Sequence, residues 1–224
     1  MYQGHEKEIS VAHARSAIRS VTVYDQFALL GKFDVLYLSD SVRATFARMY
    51  ALKWGKSSEQ AEQFVARQQE DNRRFISFYV LYPFDLMPLG MIDSVWSVFL
   101  QIDGKTGVAY QPLEIKTLDV SPEYQKILGS VYTRFKQVYE FKFDATNSDD
   151  QQLLTPSTKQ IALCFRSVAK EVSLVWQLRD GEVASDVISH SSVRRSASWE
   201  NERLYGSGHG KGLVKKRSTR RAKH

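Results

Sequence analysis

Apolar and polar residues alternate through much of this chain, and this is the pattern of β-strands with one buried face. The alternation is clearest in residues 139–144, where Tyr139, Phe141 and Phe143 alternate with charged residues. Turn-forming residues separate such segments, and Asp103–Gly107 predicts a hairpin turn in which two glycines supply positive φ. We therefore predict strands in seven segments, which cover residues 21–38, 75–81, 95–102, 108–118, 139–144, 161–165 and 172–176.

The period changes to that of amphipathic helices between residues 39 and 72. Ser39 or Asp40 offers a side-chain oxygen that can cap a first helix, which extends to Trp54. Gly55 favours the end of this helix because glycine tolerates the left-handed conformation found there. The predicted inner face of the first helix consists of Val42, Phe46, Met49 and Leu52 or Lys53.

A second helix is predicted to begin after Ser57, because Gln60 follows three residues later in the spacing of a capping box. It extends to about Asn72, and its predicted inner stripe is formed by Ala61, Phe64, Val65 and Gln68. Only Gly55–Lys56 separates the two amphipathic helices. The sequence therefore predicts a helical hairpin at about residues 40–72.

Two shorter helical segments are predicted outside the hairpin. Ser121-Pro122-Glu123 opens a helical turn that runs to Leu128, with the proline at a position where a missing N–H group costs nothing. Residues 1–20 are compatible with a loose helix from Glu6 to Arg19, although the polar Ser16 interrupts its apolar stripe.

Antiparallel alternation with short turns argues against a doubly wound sheet, in which strands alternate with helices. The pattern predicts an α+β fold dominated by β-structure: an antiparallel β-sandwich-like domain with the helical hairpin inserted early. The predicted globular domain covers residues 1–178. A chain of that size buries roughly 70% of its unfolded surface, so it can hold a hydrophobic core without disulfides or metals.

The excess positive charge lies entirely after residue 178. Residues 1–178 contain 20 basic and 20 acidic residues, whereas residues 179–224 contain 11 basic and 5 acidic ones, which gives the net charge of +6. Hydrophobic periodicity also ends there, and Ser, Gly and charged residues dominate. Because so little apolar surface cannot offset the entropy of ordering, we predict a disordered basic tail over residues 179–224.

Composition excludes several classes of protein. The single cysteine, Cys164, excludes an internal disulfide framework. No apolar run approaches the roughly 20 residues needed to cross a bilayer, so no transmembrane segment is predicted. The first residues lack a charged region followed by an apolar one, so no signal peptide is predicted and the chain as printed is expected to be soluble.

No catalytic signature is found in the sequence, and we predict neither a cofactor nor a metal. Gly206–Gly212 resembles a phosphate-binding loop, but Tyr205 stands where the P-loop requires its first glycine. Among the histidines, only His5 and His13 lie in the predicted domain, and they do not suffice for a metal site. Cys164 would need a nearby base to act as a nucleophile, so we predict a small, half-buried strand residue instead.

Three carboxylates, Asp85, Asp93 and Asp103, flank the ends of predicted strands and could meet at one rim of the sandwich. Catalytic use of a carboxylate would require a pKa raised by burial or by a neighbouring charge. Asp149 and Asp150 lie in a polar loop, where we expect a solvated pair. Five aromatic residues could line a ligand groove: Tyr79, Tyr82, Phe84, Trp96 and Phe99. For those that alternate with polar residues, packing in the core is the better explanation.

The basic run close to the end of the printed sequence is a candidate binding segment. Its possible polyanion-binding residues are Lys215, Lys216, Arg217, Arg220, Arg221 and Lys223. Such a run suits an electrostatic anchor for nucleic acid or an acidic membrane, or a nuclear-localisation-like address. The alternative is a solubilising tail with no binding role.

The chain resembles a group of small uncharacterised bacterial envelope proteins, often lipoproteins, in Tyr24-Asp25-Gln26-Phe27 and in the following segment Leu38–Phe46. In those proteins an early strand leads into a Ser-capped helix, and Val172–Trp176 would be the closing strand. The resemblance covers about residues 20–178 and carries no active site to transfer. It implies a periplasmic or outer-membrane-anchored protein if a leader has been removed, and the printed sequence lacks the lipobox cysteine that such lipoproteins carry.

These observations lead to two hypotheses about function. We expect a non-enzymatic binding or structural domain of the bacterial cell envelope, acting on an unidentified protein or envelope partner. The alternative is a nucleic-acid-associated protein that is tethered by its basic tail. The first hypothesis places binding on the neutral domain, and the second places it on residues 179–224.

Overall fold

The computed structural model describes residues 11–86, 92–104, 108–179, 182–184 and 191–195. Within these ranges the chain forms two antiparallel β-sheets. Their strands are β1 (Ile18–Asp25), β2 (Ala28–Tyr37), β3 (Phe75–Pro83), β4 (Ser97–Ile102), β5 (Glu114–Thr117), β6 (Lys136–Asp144), β7 (Gln160–Arg166), β8 (Lys170–Arg179), β9 (Glu182–Val183) and β10 (Ser191–Arg195). The first sheet has the order β1–β2–β3–β6–β5, and the second has the order β10–β8–β7–β4, with the short β9 paired to β8.

The sheets pack face to face because alternate side chains of each strand point into the space between them. Aromatic rings fill much of this space. The ring of Phe33 stacks on that of Phe165 with centroids 4.1 Å apart, and Phe78 contacts Trp176 at 5.3 Å. The indole N–H of Trp176 donates a hydrogen bond of 2.6 Å to the backbone carbonyl of Ala17. The core therefore lies between the sheets and ties them together across that space.

Helices connect several of the strands, and they are α1 (Asp40–Lys53), α2 (Ser58–Arg74) and α3 (Pro122–Leu128). The hydroxyl of Ser39 caps α1 by accepting a hydrogen bond from the N–H of Val42. Ser57 caps α2 in a capping box, in which its hydroxyl and the side chain of Gln60 satisfy each other's backbone N–H groups. Gly55 lies between the two helices with φ of +60°, a conformation that glycine adopts without strain.

The helices cover the outer face of the first sheet beside β3. The rings of Tyr79 in β3 and Tyr124 in α3 meet edge-on at 4.9 Å, and the ring of Phe46 in α1 stacks on that of Tyr124 at 4.2 Å. Lys53 of α1 forms an ion pair of 2.9 Å with the buried Glu123 of α3. Burial raises the pKa of Tyr124 to about 12.

The predicted fold class is confirmed, because the molecule is α+β, β-rich and built from two antiparallel sheets with a helical hairpin. The hairpin consists of α1 and α2. Its predicted inner face on α1 is partly wrong, since Leu52 is exposed whereas Arg43 and Ala47 are buried. Both the sheet and α2 cover α1, and the buried guanidinium of Arg43 donates a hydrogen bond to Asn72 of α2.

We predicted that residues 108–118 return along β4 as its hairpin partner, but most of this segment does not pair with β4. Only Tyr110 bridges back to Leu100 of β4, and β5 crosses to the first sheet, where it pairs with β6. Pro112 lies between these two pairings and has no N–H group to continue a ladder. The middle of the segment therefore leaves one sheet and joins the other.

The prediction that disorder begins at residue 179 is wrong for the residues that the structure describes. β9 and β10 both pair with β8, so the described residues 182–183 and 191–195 form strands. The open edge of β8 supplies the backbone hydrogen bonds that order β10, whose side chains show little hydrophobic periodicity. Residues 196–224 lie outside the described residues. The predicted N-terminal helix ends earlier than expected, because residues 11–15 are helical and β1 begins at Ile18, whereas residues 1–10 are not described.

Candidate functional site

Exposed apolar side chains are concentrated at one end of the sandwich. In the described parts of the chain, twelve large hydrophobic residues are exposed. Seven of them lie at this end, and we call them the tip surface: Tyr24, Phe27, Leu29, Phe84, Val95, Phe135 and Val168. The accessible surface, relative to a fully exposed reference residue, is 102% for Phe27, 77% for Val168 and 64% for Phe135. These side chains therefore contribute little to the core.

The β1–β2 turn supplies the first part of the tip surface. Tyr24 pairs with Leu29 and Asp25 with Ala28, which leaves Gln26 and Phe27 at the turn. Gln26 has φ of +50°, as a tight turn requires. Phe27 therefore projects from the turn instead of packing on either sheet.

The other segments reach the same end because of strand direction and pairing. In the first sheet, Phe84 follows the end of β3, and its N–H donates to the carbonyl of Phe135, which precedes β6. In the second sheet, Val168 lies in the β7–β8 turn. An ion pair of 3.3 Å between Lys170 and Asp25 joins this turn to the β1–β2 turn.

Charges of both signs surround the tip surface. The guanidinium of Arg134 lies 4.9 Å from the ring centroid of Phe135, in the geometry of a cation–π contact. Glu171 accepts a hydrogen bond of 2.6 Å from Arg166. The charged side chains at this end include Lys32, Arg134, Lys136, Arg166, Lys170, Arg194, Asp25, Asp34, Asp85, Asp93 and Glu171. The tip surface is therefore apolar at its projecting residues and nearly neutral around them.

The opposite end of the sandwich contains a polar cleft of about 290 Å³. Its polar side chains mainly hold the surrounding loops. Asp103 accepts hydrogen bonds from the backbone N–H groups of Lys159 and Gln160, at 2.7 and 3.1 Å. Asn147 accepts from two backbone N–H groups of its own loop, and Thr158 accepts from the N–H of Thr155. These polar side chains therefore hold in place the loops that form the cleft.

The three rim carboxylates do not converge. Asp85 follows β3 and Asp93 precedes β4, so both lie at the end that carries the tip surface. Asp103 follows β4 and lies at the opposite end, beside the cleft. The six residues of β4 separate the two ends by about 20 Å. Whether the three carboxylates meet at one rim was left open by the sequence, and the structure places Asp103 away from Asp85 and Asp93.

Cys164 is buried in β7, on the outer face of the second sheet, beside Phe99 and Ala162. Its sulfur lies 3.2 Å from the hydroxyl of Ser173. Burial raises the pKa of the Cys164 thiol to about 11, and the Ser173 contact offsets only part of that rise. The thiol is therefore protonated at neutral pH. Its position agrees with the predicted role of a small strand residue, although its burial is complete and not partial.

The other sequence candidates have different outcomes. Tyr79, Tyr82 and Trp96 are buried in the main core, and Phe99 is buried in the smaller cluster of Cys164 on the outer face of the second sheet. Phe84 is exposed and belongs to the tip surface. Asp149 and Asp150 are exposed, as expected for a solvated pair. The described ranges hold no group of three or more metal-ligating His, Cys, Asp or Glu side chains.

The polyanion-binding residues predicted from the sequence, Lys215, Lys216, Arg217, Arg220, Arg221 and Lys223, lie outside the described residues. The nearest described point is Arg195, the last residue of β10. Arg195 pairs with Lys170 beside the β7–β8 turn. The chain therefore continues toward its basic run from the end that carries the tip surface.

The tip surface was missed by reasoning from the sequence. The signal available was an apolar residue alone among turn or charged residues, as Phe27 follows Asp25-Gln26 and Phe135 stands between Arg134 and Lys136. Such a signal marks one exposed side chain at a time. Only the pairing of the strands brings seven of them to the same end.

Comparisons of the chain with protein-family models, with curated proteins and with solved structures find no match. In the part of the chain that the structure describes, no helix is both long and apolar enough to cross a lipid bilayer.

Proposed function

We propose that this chain is a non-enzymatic binding domain that contacts its partner through the tip surface. The observation that supports this most directly is the clustering of seven exposed apolar side chains from separate segments at one end of the sandwich. A concentration of exposed apolar side chains on one surface marks an interaction site in a soluble domain. Full burial of one such side chain contributes about 1.5–3 kcal/mol to association before the costs of binding are subtracted.

The proposed place of action is the bacterial cell envelope. This part of the proposal is supported by the resemblance of residues 20–178 to small envelope proteins. The partner is then an envelope component, either a protein or a lipid. A binding role at the tip surface needs no catalytic group.

A photocrosslinking experiment tests this function. The photoreactive residue p-benzoylphenylalanine replaces Phe27 in the full chain, which is purified, mixed with a bacterial lysate and irradiated before the lysate is separated into envelope and soluble fractions. A second variant carries it at Phe135. The matched control carries it at Trp54, which is also an exposed aromatic residue but lies at the end of α1 in the helical hairpin.

We expect positions 27 and 135 to crosslink to the same partner, whether protein or lipid, in the envelope fraction, and position 54 not to crosslink to it. Equal crosslinking at all three positions, or none at positions 27 and 135, would overturn the tip surface as the binding site. Crosslinked products found only in the soluble fraction would overturn the envelope location.

A second candidate function is association with nucleic acid through the basic run. The observation that favours it is the placement of the whole excess charge after Arg195, because residues 1–195 contain 23 basic and 23 acidic residues. This function requires binding to mixed-sequence duplex DNA or RNA that falls steeply with salt. The measurement is a salt series with the full chain and with a variant in which the six basic residues of the run are glutamine. Equal binding by both proteins would exclude this function.

A further inference from the structure

The tip surface and the basic run are attached to the same end of the molecule. β10 runs antiparallel to β8, so its last residue, Arg195, pairs with the first residue of β8, Lys170. Lys170 is also the residue that bonds Asp25 of the β1–β2 turn. The chain thus leaves the sandwich next to the turns that carry Phe27 and Val168.

The positive charge of the protein is located beyond this exit point. Residues 1–195 are neutral overall, with 23 basic and 23 acidic residues. Residues 196–224 contain 8 basic and 2 acidic residues, which accounts for the whole net charge of +6. A neutral sandwich with an apolar end is therefore followed, from that end, by a strongly basic segment.

We propose that the partner of the tip surface is an anionic lipid membrane, with the apolar tip residues inserted among the lipids and the basic run bound to the headgroups. This proposal rests on the proposed function and names its partner. Peripheral membrane proteins commonly need two such signals, since one apolar or one electrostatic contact alone gives weak and reversible attachment. Lys and Arg residues near an anionic surface each strengthen binding about fivefold.

The form of the tip surface favours a bilayer over a folded protein partner. Phe27, Phe135 and Val168 project from separate segments and are among its most exposed residues. A fluid membrane accommodates side chains that project separately, whereas a protein partner would have to supply a matching pocket for each one. Aromatic residues are favoured at the membrane interface, where their rings lie at headgroup level.

Arg134 adds a contact that suits a lipid headgroup. Its guanidinium lies 4.9 Å from the ring centroid of Phe135 and both side chains are exposed. When the ring of Phe135 enters the interface, the guanidinium comes to the level of the lipid phosphates, which arginine binds through two parallel hydrogen bonds.

Nucleic acid is the less suitable partner for the tip surface. Aromatic residues that bind single strands lie in a positively charged groove that follows the phosphates. The charges around the tip are mixed, and Asp85 and Asp93 are exposed among them. The basic run alone would attract either nucleic acid or an anionic membrane. The apolar tip surface is therefore the feature that favours the membrane over nucleic acid.

The length of chain between the two contacts permits both to reach one membrane. The 19 residues 196–214 separate Arg195 from Lys215. A fully extended chain of this length spans at most about 65 Å. The basic run can therefore reach headgroups in the same plane as the tip surface.

A vesicle flotation experiment with the full chain tests the proposal. The vesicles contain phosphatidylcholine with about a third phosphatidylglycerol, and vesicles of phosphatidylcholine alone serve for comparison. Three variants are compared with the wild type. A tip variant carries Phe27→Ser and Phe135→Ser, a run variant carries glutamine at the six basic positions, and a control variant carries Trp54→Ser.

We expect the wild type and the control variant to float with anionic vesicles, and the tip and run variants each to bind at least about tenfold more weakly. A conservative run variant with Lys215→Arg, Lys216→Arg and Lys223→Arg retains the charge and should bind like the wild type. Unchanged thermal midpoints verify that the variants are folded. Binding to phosphatidylcholine alone should be at least about tenfold weaker than to anionic vesicles.

Three outcomes would overturn the proposal. One is flotation that the run variant loses and the tip variant keeps, since the tip surface would then not insert. Another is no flotation with anionic vesicles at low salt. The last is tighter binding to duplex DNA or RNA than to vesicles, with the same dependence on the basic run. In each case, crosslinking of positions 27 and 135 to an envelope protein would leave the proposed function standing with a different partner.

Discussion

The ammonium group of Lys136 lies 2.7 Å from the carboxylate of Asp34, and this ion pair joins β6 to β2 across 102 positions of sequence. Both side chains are nearly buried, with 11% and 4% of their surface exposed. Lys136 also donates to the carbonyl of Val131, and Asp34 accepts a hydrogen bond from Ser20. The pair therefore fixes the start of β6, directly after the tip residue Phe135.

Removal of one partner should destabilise the protein strongly. Lys136→Met leaves the carboxylate of Asp34 buried without its cation, and we expect a loss of about 3–5 kcal/mol in the free energy of unfolding. The measurement is chemical denaturation, with Lys32→Met as the control because Lys32 is exposed on β2. Equal stability of the two variants would contradict a structural role for the pair.

The pairing of β10 with β8 predicts a local effect of proline. Val193 of β10 lies opposite Val172 of β8. Val193→Pro fixes φ near −65° and removes an N–H group, so it should release β10 and open the edge of β8. Hydrogen exchange should become faster for the alternate β8 amides in residues 170–174 that bond to β10. Arg194→Ala keeps the backbone donor and should leave exchange unchanged. Identical protection in both variants would show that β10 does not hold this edge.

Cys164 predicts a pH dependence of stability. Burial raises its pKa from an ordinary 9.0 to about 11 in the folded protein. The folded thiol thus keeps its proton to a higher pH than the unfolded one. The resulting contribution is fully present below about pH 9 and is lost as pH rises toward 11.

Denaturation of the wild type and of Cys164→Ala at pH 8, 9.5 and 11 measures this contribution. The free energy of unfolding of the wild type should fall more steeply with pH, by about 2 kcal/mol relative to the variant. Reaction of the thiol with Ellman's reagent at pH 8 should require unfolding. Fast reaction of the folded protein, or parallel pH profiles, would refute the raised pKa.

The capping box of α2 predicts a modest loss of stability on removal of its hydroxyl. Ser57→Ala leaves the N–H of Gln60 without its acceptor and should cost about 1 kcal/mol. Ser58→Ala is the matched control, because Ser58 is exposed in the first turn and makes no cap. The measurement is the midpoint of thermal denaturation of both variants. A midpoint as low in Ser58→Ala as in Ser57→Ala would mean that the cap is not responsible.

Phe27 and Phe33 lie six residues apart on one hairpin and should respond in opposite ways to substitution. Phe27 is fully exposed, so Phe27→Ser should leave the thermal midpoint unchanged. Phe33 stacks on Phe165 in the core, and Phe33→Ala should cost about 3–5 kcal/mol. A loss of stability in Phe27→Ser comparable to that in Phe33→Ala would show that Phe27 packs in the core and would remove it from the tip surface.

The strands and caps could be predicted because their causes are local. The alternation around Phe141, the hydroxyls of Ser39 and Ser57, and the proline of α3 act on their own segments, and the structure contains the corresponding elements. The pairing of β5 with β6 could not be predicted in the same way, since the periodicity of a strand does not state which sheet edge it will join. β10 has little periodicity of its own and was missed for the same reason.

The sequence by itself determined the class of this protein: an α+β domain rich in antiparallel strands, with a capped helical hairpin and a basic segment after a neutral body. These properties follow from side-chain period, capping groups and charge counts, which need no long-range contact. Tertiary structure alone decided that Asp85 and Asp103 lie at opposite ends, and that Phe27, Phe135 and the exit of the chain at Arg195 lie at the same end. Such proximity depends on strand direction and register, which are set by packing between segments far apart in the chain.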